Sequence, residues 1–305
     1  MLRNLLRYEE NEPEELNGKP PFHQYMKWIL EQGVDISNMS IEHYERTANI
    51  VKKDFTVSLF ANLIRNFCKY NNEFRILSNG YDLWEQPQYR DWCELLNDED
   101  YWKQFDEDIK KVLLYSLLKK EVFTKSFSSF LLKTYRKNIL ENDNWDKPPD
   151  KGWILPDNWF SNINDIVRTR FTVKYFDGVE FLIRKIAQLS DDLKMKFESS
   201  FEAKDEGYYA AHIHIEKQYR VPNSLWEIEE VKIPVEIQIR TELHKLVDEL
   251  SHPFYEKRRK RLKNSNTKWQ WRYESREFDL YYLGHMLHYI DGKIVEVRKS
   301  TKEDL

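Results

Sequence analysis

What the chain lacks narrows its class. Its 305 residues hold two cysteines, Cys68 and Cys93, both in segments with helical pattern. Two such thiols make neither a disulfide framework nor a zinc spacing, so they are read as core residues of a protein in a reducing compartment. No apolar run approaches the ~18 residues of a membrane span, and no basic-then-apolar segment opens the sequence, so a cytoplasmic, membrane-free protein is expected. No segment repeats, and none is low in complexity. An excess of one charge is absent too. With 48 basic against 52 acidic residues the net charge is -4, which draws nothing toward nucleic acid, so such binding would need a local patch.

What is present fits a folded, charge-rich protein. Hydrophobic residues at 41% can build a core, while 33% charged residues and a mean hydropathy of -0.77 require a polar surface. Aromatics reach 15%, with ten tryptophans, and suit helical cores or stacking surfaces for bases.

The pattern changes once along the chain. Residues 1–21 are polar and end in turn formers, and from Phe22 to about Val122 the apolar spacing is helical, as at Ile50, Val51, Phe55, Leu59, Leu63 and Phe67. A stretch rich in turn formers, Asn142 to Gly152, then leads into period-two segments. Ile166 to Phe176 reads as a strand, 179–189 as a helix, 194–201 as a strand, and Tyr208 to Tyr219 as a strand with His212 and His214 on one side and Ile213 and Ile215 on the other. A last helix is expected from about Tyr273 to Tyr289, with Asp291-Gly292 turning into a short final strand. This order gives an α/β (α+β) fold: a mixed β-sheet flanked by helices, with a helical N-terminal region (1–110), a central domain (111–263) and a C-terminal helical extension (264–305).

The most informative stretch is Val231 to Lys257. Val235, Ile237 and Ile239 alternate with Glu236, Gln238 and Arg240, so one face of a strand is apolar and the other carries an acid, an amide and a base. After Thr241, a candidate N-cap, Leu243, Leu246, Val247, Leu250 and Phe254 form an apolar helical stripe, with His244, Asp248 and His252 on another face. Those last three could share a metal, but no partner set such as HExxH accompanies them, and Pro253 interrupts the helix beside His252. Polar residues at a strand-to-helix junction are a common setting for an α/β site. A second acid, Asp165, stands at the start of an earlier strand, and a carboxylate pair from two strands suits Mg²⁺ in phosphoryl chemistry.

The segment Glu236 to Thr241, EIQIRT, resembles the signature strand of the RelA/SpoT synthetase family, and Asp248, Glu249, His252, Tyr255 and Lys257 resemble its following helix. Three further segments agree. Asp165 to Arg170, DIVRTR, is similar to a D-I-x-G-x-R segment, with Arg168 where the family usually has glycine. Lys204 to His212, KDEGYYAAH, resembles K-x-N-G-Y-x-S-x-H, with Asp205 and Glu206 in place of more neutral residues. Lys125 to Ser129, followed by Lys133, resembles R-x-K-S-x-x-S, with Phe123 replacing the leading arginine.

The resemblance implies a nucleotidyltransferase-like synthetase domain that transfers pyrophosphate from ATP to the 3′-hydroxyl of a guanine nucleotide (GDP or GTP), making alarmones. It implies Mg²⁺ on Asp165 and Glu236, with Glu236 also accepting the hydroxyl proton. Lys125, Ser129, Arg170 and Lys204 would hold phosphates and Tyr208 would stack the acceptor base, with His212, Gln238 and Arg240 lining the same pocket. No His-Asp dipeptide occurs, so the hydrolase half of the bifunctional members is not expected. Two alternatives stay open: a relative that pyrophosphorylates the tRNA 3′ end, gripping it through Lys257, Arg258, Arg259 and Arg261 near Trp269 and Trp271, and a nucleotide- or RNA-binding sensor without catalysis. A homo-oligomer is left open as well.

Overall fold

A computed structural model of the chain describes residues 18–31, 41–60, 62–63, 122–155, 157–173, 175–223, 226–250 and 269–303. The basic run from Lys257 to Lys263, both cysteines, His252 to Tyr255 and the helical expectations for 64–121 lie outside these residues.

Two helices come first: α1 (Phe22–Glu31) and α2 (Ile41–Phe55), the latter continuing as a π-helical stretch over Thr56–Phe60. The central region follows as β1 (Val122–Thr124), α3 (Phe127–Tyr135), the short α4 (Trp159–Asn162), β2 (Val167–Val173), α5 (Phe176–Asp192), β3 (Lys196–Ala203), β4 (Tyr209–Pro222), β5 (Ile228–Thr241) and a helix α6 over 242–250. The last helix, α7, spans Arg276–Glu303. The five strands form one mixed sheet in the order β1-β2-β5-β4-β3, in which only β2 and β5 pair in parallel.

The alternation seen in the sequence decides which face of the sheet is buried. Phe171 and Val173 on β2, Ile213 and Ile215 on β4, and Val235, Ile237 and Ile239 on β5 are all at most 2% exposed. Each such side chain contributes roughly 1.5 to 3 kcal/mol by leaving water. α5 packs on the sheet through Val179, Leu182, Ile186 and Leu189. Around β1 a second set of rings closes the core: Tyr44 on α2 lies 4.6 Å from Phe130 on α3, and Phe130 meets Trp159 of α4 edge-on at 5.1 Å. The apolar cluster runs from Phe22 to Ile239, so the N-terminal helices and the sheet share one core. The abundant aromatics in this part of the chain therefore serve packing.

Three expectations need correction. Val122–Thr124 is an edge strand hydrogen-bonded antiparallel to β2, where a helix end was expected, because three residues carry no readable period and the pairing is long-range. α7 runs through Asp291-Gly292 with no break and no final strand. Asp291 is buried there and accepts a hydrogen bond from the Thr241 hydroxyl, so a residue that signals a turn in isolation is held by a tertiary partner. On α6 the expected stripe is only partly inward: Val247 is buried, but Leu246 and Leu250 are 55% and 57% exposed, and His244 takes an inward place at 3%.

α7 docks at four levels. Gly284 meets Gly207 backbone to backbone, and His288 stacks on Tyr209 with centroids 3.6 Å apart. Asp291 meets Thr241, and Arg298 pairs with Asp177 while lying over the Tyr175 ring.

Candidate functional site

The polar face of the sheet gathers the residues singled out in the sequence. Because Cα partners across a ladder share a face, register defines its rows. Phe123 of β1 pairs with Arg168 of β2, Arg168 with Glu236 of β5, and Glu236 with His214 of β4. In the next row Arg170 pairs with Gln238 and Gln238 with His212. The candidate site therefore lies along the sheet face, and not only at the strand ends where an α/β crevice would put it.

Glu236 is the centre of a hydrogen-bonded chain. Its carboxylate accepts from His212 Nδ1 at 3.0 Å and from Gln238 Nε2 at 2.9 Å, with His214 Nε2 at 3.8 Å. The Gln238 carbonyl accepts from Arg170 Nε at 3.1 Å, which fixes the amide's orientation. Since an ionised carboxylate only accepts, His212 carries a proton on Nδ1, and in the neutral ring Nε2 accepts from the Tyr208 hydroxyl at 3.0 Å. The Lys204 ammonium sits over the Tyr208 ring, 5.2 Å from its centroid. Six of the anticipated residues, Lys204, Tyr208, His212, Glu236, Gln238 and Arg170, thus form one connected series.

Asp165 forms a second centre. It is 7% exposed and takes Lys125 Nζ on one oxygen and Lys133 Nζ on the other, each at 2.8 Å. Ser126 caps α3: its hydroxyl accepts from the Ser129 backbone N–H at 3.3 Å and donates to the Ser129 hydroxyl at 2.9 Å. Lys125 and Ser129 therefore stand at the first turn of a helix whose partial positive charge favours an anion, with Lys133 one turn further along.

The electrostatics of the two centres agree. Burial alone would raise the Glu236 carboxyl, yet His212 and His214 outweigh it and hold the group well below the usual carboxylate range, helped by the charge of Lys133. Asp165 is likewise lowered: burial opposes, but Lys133 and Lys125 prevail. Lys125 is lowered by burial, an effect that Asp165 only partly offsets. Burial, with Asp248 and Glu236 nearby, pushes the Tyr208 hydroxyl up, so it stays protonated. Both acids are ionised at neutral pH, and Lys133, paired with Asp165, also acts on Glu236.

Arg240 forms an ion pair with Asp248 of α6, and the charges of both act on Tyr208 and Arg170. His244 and Asp248 do not share a site: His244 bonds His288 Nδ1 at 3.1 Å, and Asp248 faces Arg240. Among the described residues no group of three or more His, Cys, Asp or Glu side chains could hold a metal. Trp269 is packed against Tyr281 and is 9% exposed, whereas Trp271 is 79% exposed. Two members of the face, Lys133 and His214, had gone without a role. The signal for His214 was its alternation with Ile213 and Ile215; Lys133 had only its place one turn after Ser129.

Comparison with known proteins adds a match over part of the chain. Residues 124–261, a little under half the chain, match the profile described as the region found in RelA / SpoT proteins. No curated protein matches the chain. Similar solved structures include small alarmone synthetase 2 of Bacillus subtilis, at 19% identity over 59% of this chain and 80% of that one, TM-score 0.39. A GTP pyrophosphokinase family protein of Streptococcus pneumoniae shows 18% identity over 68% and 97%, TM-score 0.41. Small alarmone synthetase 1 of Bacillus subtilis shows 16% over 67% and 100%, TM-score 0.40. No helix among the described residues is long and apolar enough to cross a membrane.

Proposed function

We propose, from the match of residues 124–261 to the profile of the region found in RelA / SpoT proteins, that the chain is a RelA/SpoT-type pyrophosphotransferase using ATP as donor and a guanine nucleotide as acceptor. The observation that carries the reading is the convergence of Lys125, Lys133, Arg168 and Arg170 with two buried, ionised carboxylates on one polar sheet face. A surface that only binds phosphates has no use for two buried acids, and each removes stability unless compensated. The same convergence argues against a sensor without catalysis.

In this reading the acceptor's 3′-hydroxyl oxygen attacks the β-phosphorus of ATP. The bond from that phosphorus to the α,β-bridging oxygen breaks, AMP leaves, and the hydroxyl proton passes to Glu236. A carboxylate held so far below its usual range is a weak base, so Glu236 contributes chiefly through its charge, and by keeping His212 protonated on Nδ1. Lys125, Lys133 and Ser129 hold the donor's phosphates at the start of α3, and Arg170 and Lys204 stabilise the transferred group. Tyr208 offers its ring to the acceptor base. Lys204 covers one face of that ring, so the base takes the other or displaces the ammonium.

The donor set suits Mg²⁺: Asp165 and Glu236 supply hard carboxylate oxygens, and Mg²⁺ takes one or two of these with substrate phosphates. When bound there it would neutralise triphosphate charge. Lys133, now on Asp165, is the group that would have to yield to it.

The test is purified protein incubated with labelled ATP, Mg²⁺ and GDP, GTP or bulk tRNA, for wild type and Glu236→Gln. Transfer to guanine nucleotides by the wild type, and its loss in a folded Glu236→Gln variant, is the expected result. Transfer to tRNA alone would overturn the acceptor, and wild-type rates in Glu236→Gln would overturn the site.

A further inference from the structure

The sheet ends in two unlike edges: β1 is 3 residues long, and β3, at the other end of the order, is 8. β3 contains neither proline nor glycine and runs against β4 without a bulge, so none of the devices that usually blunt an edge is present. Among the described residues no strand pairs with its outer side. Cross-strand partners share a face. Phe197, Ser199 and Phe201, opposite Ile215, Ile213 and Ala211, therefore belong to the core side, and Lys196, Glu198, Ser200 and Glu202 to the side of His214 and His212. Phe201 is nevertheless 63% exposed, because α5, which packs on this side, leaves its ring uncovered. An apolar ring beside a free row of backbone N–H and C=O groups is a surface that another strand would cover.

We propose that this edge takes a second copy of the chain, β3 against β3 about a two-fold axis at Ser199, so that two sheets become one. Pairing that keeps core side with core side must be centred on a residue and not between two, since a slip of one residue reverses every face. Two such antiparallel registers use nearly the whole strand, one centred on Ser199 and one on Ser200. About Ser199, Lys196 stands opposite Glu202 of the partner subunit, Phe197 stands opposite the partner's Phe201, and symmetry repeats both pairs. About Ser200, Glu198 would stand opposite the partner's Glu202, again twice, and Phe201 would face a serine. Charge complementarity therefore selects the first register, because opposite charges across a ladder stabilise it and like charges oppose it. Lys196 already pairs with Glu198 of its own strand at 2.8 Å, which places the ammonium on the correct side. The contact is one strand wide, so the expected form is a reversible dimer of micromolar strength. The inference makes no use of the reaction assigned to the polar face.

The experiment is sedimentation velocity on the full chain from about 1 to 100 μM, with thermal unfolding of each variant as the check on folding. Wild type passes from monomer to dimer across this range. Glu202→Lys sets two pairs of like charges across the axis and raises the dissociation constant about tenfold or more, and Lys196→Glu does the same. Both side chains reach solvent, at 38% and 60% exposure, so neither change threatens the fold. The double variant Lys196→Glu with Glu202→Lys exchanges the signs and returns the dissociation constant to within a few-fold of wild type, which no interface elsewhere on the chain predicts. Phe201→Ala weakens the dimer about tenfold. A chain that stays monomeric throughout overturns the proposal, as does a double variant no better than either single. A dimer that is indifferent to these changes but is lost in Met286→Lys with Tyr289→Lys assembles through the exposed apolar side chains of α7 and overturns it too.

Discussion

Gly284→Ala should loosen the Tyr208 loop from a helix that lies outside the family region. A Cβ at Gly284 would stand 2.5 Å from the Gly207 carbonyl oxygen and 3.0 Å from its carbonyl carbon and Cα. All three are backbone atoms, so no rotamer change relieves the contact, and the loop and α7 must separate by roughly 1 Å to reach ordinary packing distance. Overpacking of this kind costs ~1 to 3 kcal/mol, whereas alanine favours a helix over glycine by ~1 kcal/mol. The net is a destabilisation of up to about 2 kcal/mol. Gly292, in the same helix, has nothing within 4 Å of the same added atom. Gly292→Ala therefore keeps the propensity gain without the clash and should stabilise. Gly207→Ala should be the worst of the three, since it adds a Cβ 2.5 Å from the Tyr281 carbonyl oxygen at a φ of 75°. The assay is thermal unfolding of the three variants with hydrogen exchange over 203–209, where the Lys204 N–H donates to the Tyr208 carbonyl at 3.0 Å and the Gly207 N–H to that of Lys204 at 2.9 Å. Gly284→Ala should lower the Tm by a few degrees, speed exchange in the loop and raise the acceptor KM more than the ATP KM. If Gly284→Ala and Gly292→Ala shift the Tm in the same direction and loop exchange does not change, the backbone contact does not hold the loop.

Three further outcomes follow from the same geometry. Burial, with His288 and Arg240 nearby, pushes His244 down to about 4, so between its ordinary value near 6.5 and 4 the unfolded chain binds a proton that the folded chain does not. Stability should therefore fall as pH drops from 6.5 toward 4, by at most about 3 kcal/mol at ~1.4 kcal/mol per pH unit; a flat urea midpoint from pH 7 to 4.5 refutes the burial of a neutral His244. Glu236 and Asp165 are depressed below their usual values, so their contribution is lost only at still lower pH, as it falls through their folded values. Tyr208→Ala should weaken acceptor binding by ~1 to 3 kcal/mol, while Tyr208→Phe should spare the acceptor KM and lower kcat, because it keeps the ring and removes the hydroxyl from His212; equal effects of the two on KM would show that the ring is not the platform.

The sequence by itself determined the layers and which residues make up the polar face. Period-two alternation at Val235 to Arg240 and at Tyr208 to Ile215 settled which side chains of β4 and β5 face the core and which face a site, because in a strand that choice depends only on parity. The acid, amide and bases of the candidate pocket were legible for the same reason. Parity does not say which strand lies beside which. Only the tertiary structure set β1 against β2 in a register that makes Phe123 and Arg168 neighbours, since three edge residues carry no period and their partner is 45 residues away. Only the tertiary structure carried α7 through Asp291-Gly292 and turned His244 inward past Leu246. Helical spacing ranks faces by hydropathy, whereas a buried Thr241, a stacked His288 and a glycine contact at Gly207 are supplied by distant parts of the chain.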